Sequence, residues 1–342
     1  MDEVQKKKIE TISLDVLEKI GLVTTDIFSI LGQSKKEVTL LKAGEYVLPE
    51  FIDKFRAKGI TSFYVRNIFS PEENNFWLAL WKKIESCQKQ NDYENYQVRN
   101  EFIKEFKEIF FDEKKEASLL SYVSTTHQYF SQVSNDFLYQ YAQKNYLLFK
   151  RSMVVASLSL PLVLSFGYGD LNFLKDIYNI TLLLSYHLAD EKFTVTIKNA
   201  LSLEGMEKGL GVKYLRLKSP QEIEFVTNLE EISHVSDVVY SYQFEQIKDL
   251  ILFYKSLIVN TEHENKIFES EIPDWMSAVI FIDKIIHYDE FEFKKGDAKG
   301  YLKNTLEKKC DNRFLKSYGF RKLKNLLDQV WNTKLTESKL SA

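Results

Sequence analysis

The sequence predicts a mainly α-helical protein whose helices are preceded by a small α/β unit. Three observations carry this. Only 12 Gly and 5 Pro occur in 342 residues, too few for the frequent turns of an all-β chain. Apolar residues recur at helical steps, as where Phe102, Phe106, Ile109 and Phe110 form one stripe. The clearest strand-like runs, Val38 to Leu41 and Ile60 to Val65, both lie near the N-terminus.

Residues 1–68 read as the α/β unit. Ile12, Leu14, Val16, Leu17 and Ile20 show mixed apolar spacing. The Val38–Leu41 run leads through a turn at 42–45 to a helix that starts at Pro49 and stops near Gly59, with Phe51, Ile52 and Phe55 on one face. The strand from Ile60 follows. Ser70-Pro71-Glu72-Glu73 then combines a capping serine, a proline at the first helical position and acids in the first turn. Residues 69–148 are read as a helical linker region. Residues 149–335 form the larger helical domain, with segments near 153–166, 171–188, 221–243, 244–259, 273–288 and 312–331. Ser219-Pro220 and Ile272-Pro273-Asp274 mark two of the helix starts. Phe193 to Ile197 alternates and reads as a short strand or an extended loop.

Composition excludes several classes. Net charge is -3 with basic residues dispersed, so the basic stripe of a nucleic-acid binder is missing. The opening MDEVQKKKIE has no apolar core behind its lysines, so a signal peptide is not expected. Cys87 and Cys310 are the two cysteines, far apart in the chain, which leaves neither a disulfide framework nor a CxxC metal site. A reducing cytoplasm fits. Ser152 to Gly169 is an uncharged run of 18 residues, near the lower limit for a membrane span. Its serines, glycines and Pro161 favour a helix buried within a bundle, so no membrane span is expected.

Four stretches share an order with a known family. EIPDWMSAVIFIDKIIHYDEF (271–291) places Asp283 ten residues after Pro273. KGYLKNTLEKKCDNRFLKSYGFRKL (299–323) carries the turn Cys310-Asp311-Asn312 before a last helix. TLLLSYHLADE (181–191) follows VVASLSLPLVLSFG (154–167). LLKAGEYVLPEFIDKFRAKGITSFYV (40–65) stands upstream. Together they resemble the HD-GYP proteins, cyclic di-GMP phosphodiesterases of the HD superfamily, and the small domain that often precedes them. The resemblance implies an HD-domain helical bundle as the fold.

It also implies a two- or three-metal centre held by imidazoles and carboxylates, in which a metal-bound water attacks a phosphoryl group. Position by position, this chain departs from that pattern. The first histidine falls at about Arg151, the His-Asp pair on Ser185 and Tyr186, and the family's lysine on Ala189. The next histidine falls near Leu229 and the His-His pair on Tyr254 and Lys255; only Asp283 matches. The Gly-Tyr-Pro tripeptide is absent, with SLIVNTEHENKIFESE in its place. Arginine and lysine repel a cation instead of ligating it, and one carboxylate cannot hold a metal cluster.

The expectation is therefore a catalytically inactive, HD-GYP-like protein with no cofactor. It would serve as a signalling scaffold or regulatory partner, and the resemblance supplies the cyclic di-GMP context. The implied partner is a protein, a diguanylate cyclase-type domain or a second copy of the chain. Arg151, Tyr186, Tyr254 and Lys255 would gather around Asp283 and fill the vacated cavity with a salt bridge and hydroxyl hydrogen bonds. Alternatively, Arg151 and Lys255 keep an anion pocket for a nucleotide. A second alternative is a divergent metal phosphohydrolase built on His187, His234 and Asp283. In that case a small insertion brings in His234, and His187 and Asp190 share a helix face. His287 follows Asp283 by one turn. His127 and His263 sit in polar surroundings and read as solvated.

Overall fold

In the computed structural model, residues 9–21, 23, 26–32, 35–42, 45–66, 71–87, 92–110, 119–190, 272–286 and 321–327 are described. The chain begins with strand β1 (Ile9–Ser13), helix α1 (Leu14–Ile20), β2 (Ile27–Ile30) and β3 (Glu37–Leu41), followed by α2 (Pro49–Arg56) and β4 (Ser62–Arg66). The strands pair antiparallel in the order β1-β4-β2-β3. Alternation puts Phe63 and Val65 of β4 on the inner face, where they meet Leu14 and Leu17 of α1 and Ile52 of α2 in one buried cluster. The expected small α/β unit is present, and the expected strand at Ile60 starts two residues later, at Ser62. The helix expected at Pro49 has proline at its first turn and ends before Gly59, which adopts φ +70°.

The remaining elements are helical: α3 (Pro71–Cys87), α4 (Asp92–Phe110), α5 (Leu119–Phe130), α6 (Asn135–Lys144), α7 (Tyr146–Ser165), α8 (Leu171–Leu183), a single 3₁₀ turn (Tyr186–Ala189), α9 (Asp274–Ile285) and α10 (Arg321–Leu326). The stretch read as a linker does more than connect. Trp77 and Trp81 of α3 and Phe102 of α4 are fully buried in the same cluster as Phe149, Leu160, Trp275 and Leu323. Cys87 is buried at the end of α3.

At the centre runs α7. Asn145 caps it, its side chain accepting from the Leu148 N–H at 3.1 Å, and every residue from Arg151 to Leu164 is buried. It is the one described helix long and apolar enough to cross a membrane, and most of it lies inside the protein. Pro161 sits within it. A proline has no N–H, so the carbonyl four residues back, on Ser157, loses its helical partner. The Tyr122 hydroxyl of α5 donates to that carbonyl at 2.9 Å. The neighbouring helix thus repairs the break.

The TLLLSYHLADE stretch departs from the helical expectation. Helix α8 ends at Leu183, the 3₁₀ turn follows, and Asp190 is extended (φ −63°, ψ 139°). His187 and Asp190 therefore do not share an α-helical face. Expectations on residues 191–271 and 287–320, among them the Ser219-Pro220 helix start, the closing turn at 310–312 and the side chain of Cys310, lie outside the described residues.

Gly21 ends α1 at φ +68°, and a Cβ there would stand 2.9 Å from the Tyr46 ring. Gly59 shares the positive φ but faces open space. Gly21→Ala should therefore cost about 2–4 kcal/mol, from backbone strain plus overpacking. Gly59→Ala should cost only about 1–2 kcal/mol. Urea denaturation of the two variants checks the order.

Candidate functional site

The site is assembled where α7 crosses α9. Helix α9 starts after Pro273, as Ile272-Pro273-Asp274 predicts, and buries Trp275, Met276, Val279, Ile280, Phe281 and Ile282. Asp283 lies in its last turn. A carboxylate there is doubly unfavourable: it is largely out of water, and it sits beside the free carbonyls at the negative end of the helix dipole.

Arg151 of α7 answers both problems. Its Nη1 donates to Asp283 Oδ1 at 2.9 Å. Its Nε donates to the Ile286 carbonyl at 2.8 Å, and its Nη2 to the Asp283 carbonyl. One guanidinium thus neutralises the acid and caps the carbonyl end of α9. The Arg151 side chain is 2% exposed and that of Asp283 12%, so the pair is shielded from salt and solvent.

Next to Arg151, the hydroxyl of Ser152 hydrogen-bonds the Tyr141 phenol of α6 at 2.8 Å. Burial raises the Tyr141 phenol above its ordinary range, opposed by Ser152 and by the Arg151 charge. Tyr186 packs on Tyr141, ring to ring at 5.2 Å, and its hydroxyl accepts from Lys144 Nζ at 3.0 Å. Tyr186 is thus one ring removed from the Arg151–Asp283 pair. Ser185 begins the 3₁₀ turn without a side-chain cap bond. His187 has its backbone in the same turn; Tyr254, Lys255, His234 and His287 lie outside the described residues. Among the described residues, no three His, Cys, Asp or Glu side chains are grouped to hold a metal ion.

Sequence reasoning misplaced His127. Expected in solvent, it is 4% exposed. Its Nδ1 lies 2.8 Å from the Tyr178 hydroxyl, and burial lowers it to about 4. The reason is that α5 is enclosed by α3, α7 and α8. The serines and threonines that make its sequence look polar are interior groups; Thr126, for one, accepts from Trp81 Nε1 at 3.2 Å. Asp176 of α8 went unnoticed too. It is 1% exposed, neither oxygen has a hydrogen-bond partner among the described residues, and burial raises its carboxyl to about 6, with Asp170 adding to the shift.

Comparison of the chain with models of known protein families, with curated proteins and with solved structures gave no match.

These groups set two measurable stability effects. Arg151→Met strands the Asp283 carboxylate and should destabilise the fold by about 3–5 kcal/mol, while the double variant Arg151→Met/Asp283→Leu should recover much of that loss. A double-mutant cycle in urea measures both. The second concerns pH. Asp176 is raised in the folded chain, so its contribution is full below its unfolded value near 4 and is lost as pH rises through 6. His127 is depressed, so its contribution is full above about 6.5 and is lost as pH falls through 4. The two slopes oppose one another. Asp176→Asn should gain up to about 3 kcal/mol at pH 7 and nothing near pH 3, leaving a steeper fall in stability on acidification. Thermal melts from pH 3 to 8 read this directly.

Proposed function

We propose that this chain is a binding protein built on an HD-GYP-like helical scaffold, acting as a non-hydrolysing scaffold or regulatory partner in cytoplasmic cyclic di-GMP signalling. The observation that carries the reading is Arg151. It stands where the resemblance puts the first metal-binding histidine, and it is bonded to Asp283, the one position that keeps the family's ligand. A guanidinium cannot lose its proton to bind a cation, and its positive charge opposes one at Asp283. Its bonds to the Asp283 carboxylate and to two carbonyls leave it poorly placed to receive a phosphate, which weighs against the nucleotide-pocket alternative. Function then rests on surfaces, with a diguanylate cyclase-type domain or a second copy of the chain as the partner.

Metal analysis of the purified full chain tests the reading. We expect iron, manganese and zinc well below one equivalent, with no change on Asp283→Ala. Stoichiometric metal that disappears on Asp283→Ala would overturn it and favour the hydrolase built on His187, His234 and Asp283.

A further inference from the structure

The segment between β3 and α2 faces two cores at once. It is extended, with Leu48 at φ −80° and ψ 141°, so successive side chains point to opposite sides. Val47 belongs to the buried cluster of the α/β unit. Tyr46 belongs to the helical cluster, where it is 7% exposed, and Leu48 packs against that same cluster. Among the described residues of the α/β unit, Tyr46 and Leu48 are the ones that join the helical core. Among the described residues, further ties across this joint are polar: the Tyr146 phenol is hydrogen-bonded to the backbone of Tyr46, and Glu50 is hydrogen-bonded by Tyr139 and by Gln143 Nε2, the latter at 3.3 Å.

The ring of Tyr46 is held on several sides. Phe149 meets it edge-on at 5.3 Å and 87°, His127 at 6.2 Å and 82°. Gly21 lies against its outer edge, where a Cβ would stand 2.9 Å from the ring. The α/β unit is therefore pinned to the bundle by one inserted aromatic side chain, and α1 closes over that side chain from its own side.

The socket and the ion pair share a helix. Phe149 and Arg151 are two positions apart on α7, about 200° around its axis, so they lie on nearly opposite sides. Tyr46 presses on one side of α7, while α9 packs in the helical core through its apolar residues and has its C-terminal end held by Arg151. A close-packed helix transmits displacement because its contacts have little room to give.

We propose that Tyr46 is the peg of a mechanical joint, through which the position of the α/β unit controls how firmly Arg151 holds the end of α9. Movement of the unit withdraws the peg, lets the Phe149 side of α7 relax and loosens the Arg151–Asp283 bridge. Coupling of this kind is reciprocal: loosening the bridge weakens the seat of the peg. The joint is independent of whether the chain binds or hydrolyses anything.

Hydrogen exchange on the full chain, followed by mass spectrometry, tests it. Tyr46→Ala should speed exchange on the order of tenfold both in residues 45–56 and in residues 272–286. Tyr46→Phe keeps the ring and should leave both segments as in the native chain. Ile52→Val weakens the α/β core without touching the peg and should speed exchange in residues 45–56 alone. If Tyr46→Ala folds too poorly to measure, Asp283→Asn reads the same coupling backwards, with faster exchange expected at 45–56. The proposal is overturned if 272–286 is unchanged in Tyr46→Ala, if Ile52→Val speeds it equally, or if Asp283→Asn leaves 45–56 unmoved.

Discussion

Burying a guanidinium inside a twenty-residue apolar helix constrains everything around it. Arg151 keeps its charge at any pH a protein meets, so the fold must bring it an anion and enough acceptors to replace water. Helix α9 supplies both, with Asp283 and the carbonyls of Asp283 and Ile286. The demand runs the other way as well. An acid in the last turn of a helix is repelled by the carbonyls there, and a single cation serves both groups. The 2% exposure of Arg151 makes this an all-or-none arrangement: removing one partner costs more than the pair contributes.

The same logic governs the rest of the polar interior. Pro161 orphans the Ser157 carbonyl, and Tyr122 is placed to serve it. Asn179 of α8 donates to the Phe130 carbonyl at 3.0 Å and accepts from the Gln132 N–H at 2.8 Å, tying the end of α5 where its own helical bonds run out. His127 and Tyr178 pair across two helices. Asp176 stands apart, a buried acid with no hydrogen-bond partner among the described residues, and it costs the fold stability at neutral pH. These bonds converge on α7 and α8, which explains how so apolar a pair of helices keeps one packing arrangement.

Legibility in the sequence followed how local the cause was. Helix α2, the start of α9 and the burial of α7 could be read because proline position and an unbroken apolar run act within a turn or two. The Arg151–Asp283 contact was one of several arrangements the sequence allowed, since the resemblance implied that the two positions face each other but left open whether Arg151 would pair with the acid or keep an anion pocket. His127 could not be read. Its neighbours Ser124, Thr125 and Thr126 look like a solvated face, and only the packing of α3, α7 and α8 around α5 makes them interior. The break after Leu183 was equally hidden, since SYHLA carries neither glycine nor proline and the apolar period runs on into Leu188. Trp77, Trp81 and Phe102 show the limit for domain boundaries. Amphipathic helices look alike whether they bridge two cores or complete one, and these complete one.

The buried cation at the crossing of α7 and α9 is the protein's own, bonded to the Asp283 carboxylate, the residue on which the proposed reading would place a metal ligand. Anomalous diffraction from crystals of the full chain soaked in millimolar manganese tests this most directly. Arg151 is expected to stay on Asp283, with no anomalous peak within bonding distance of the Asp283 carboxylate. A manganese peak on Asp283 with Arg151 swung aside would contradict it.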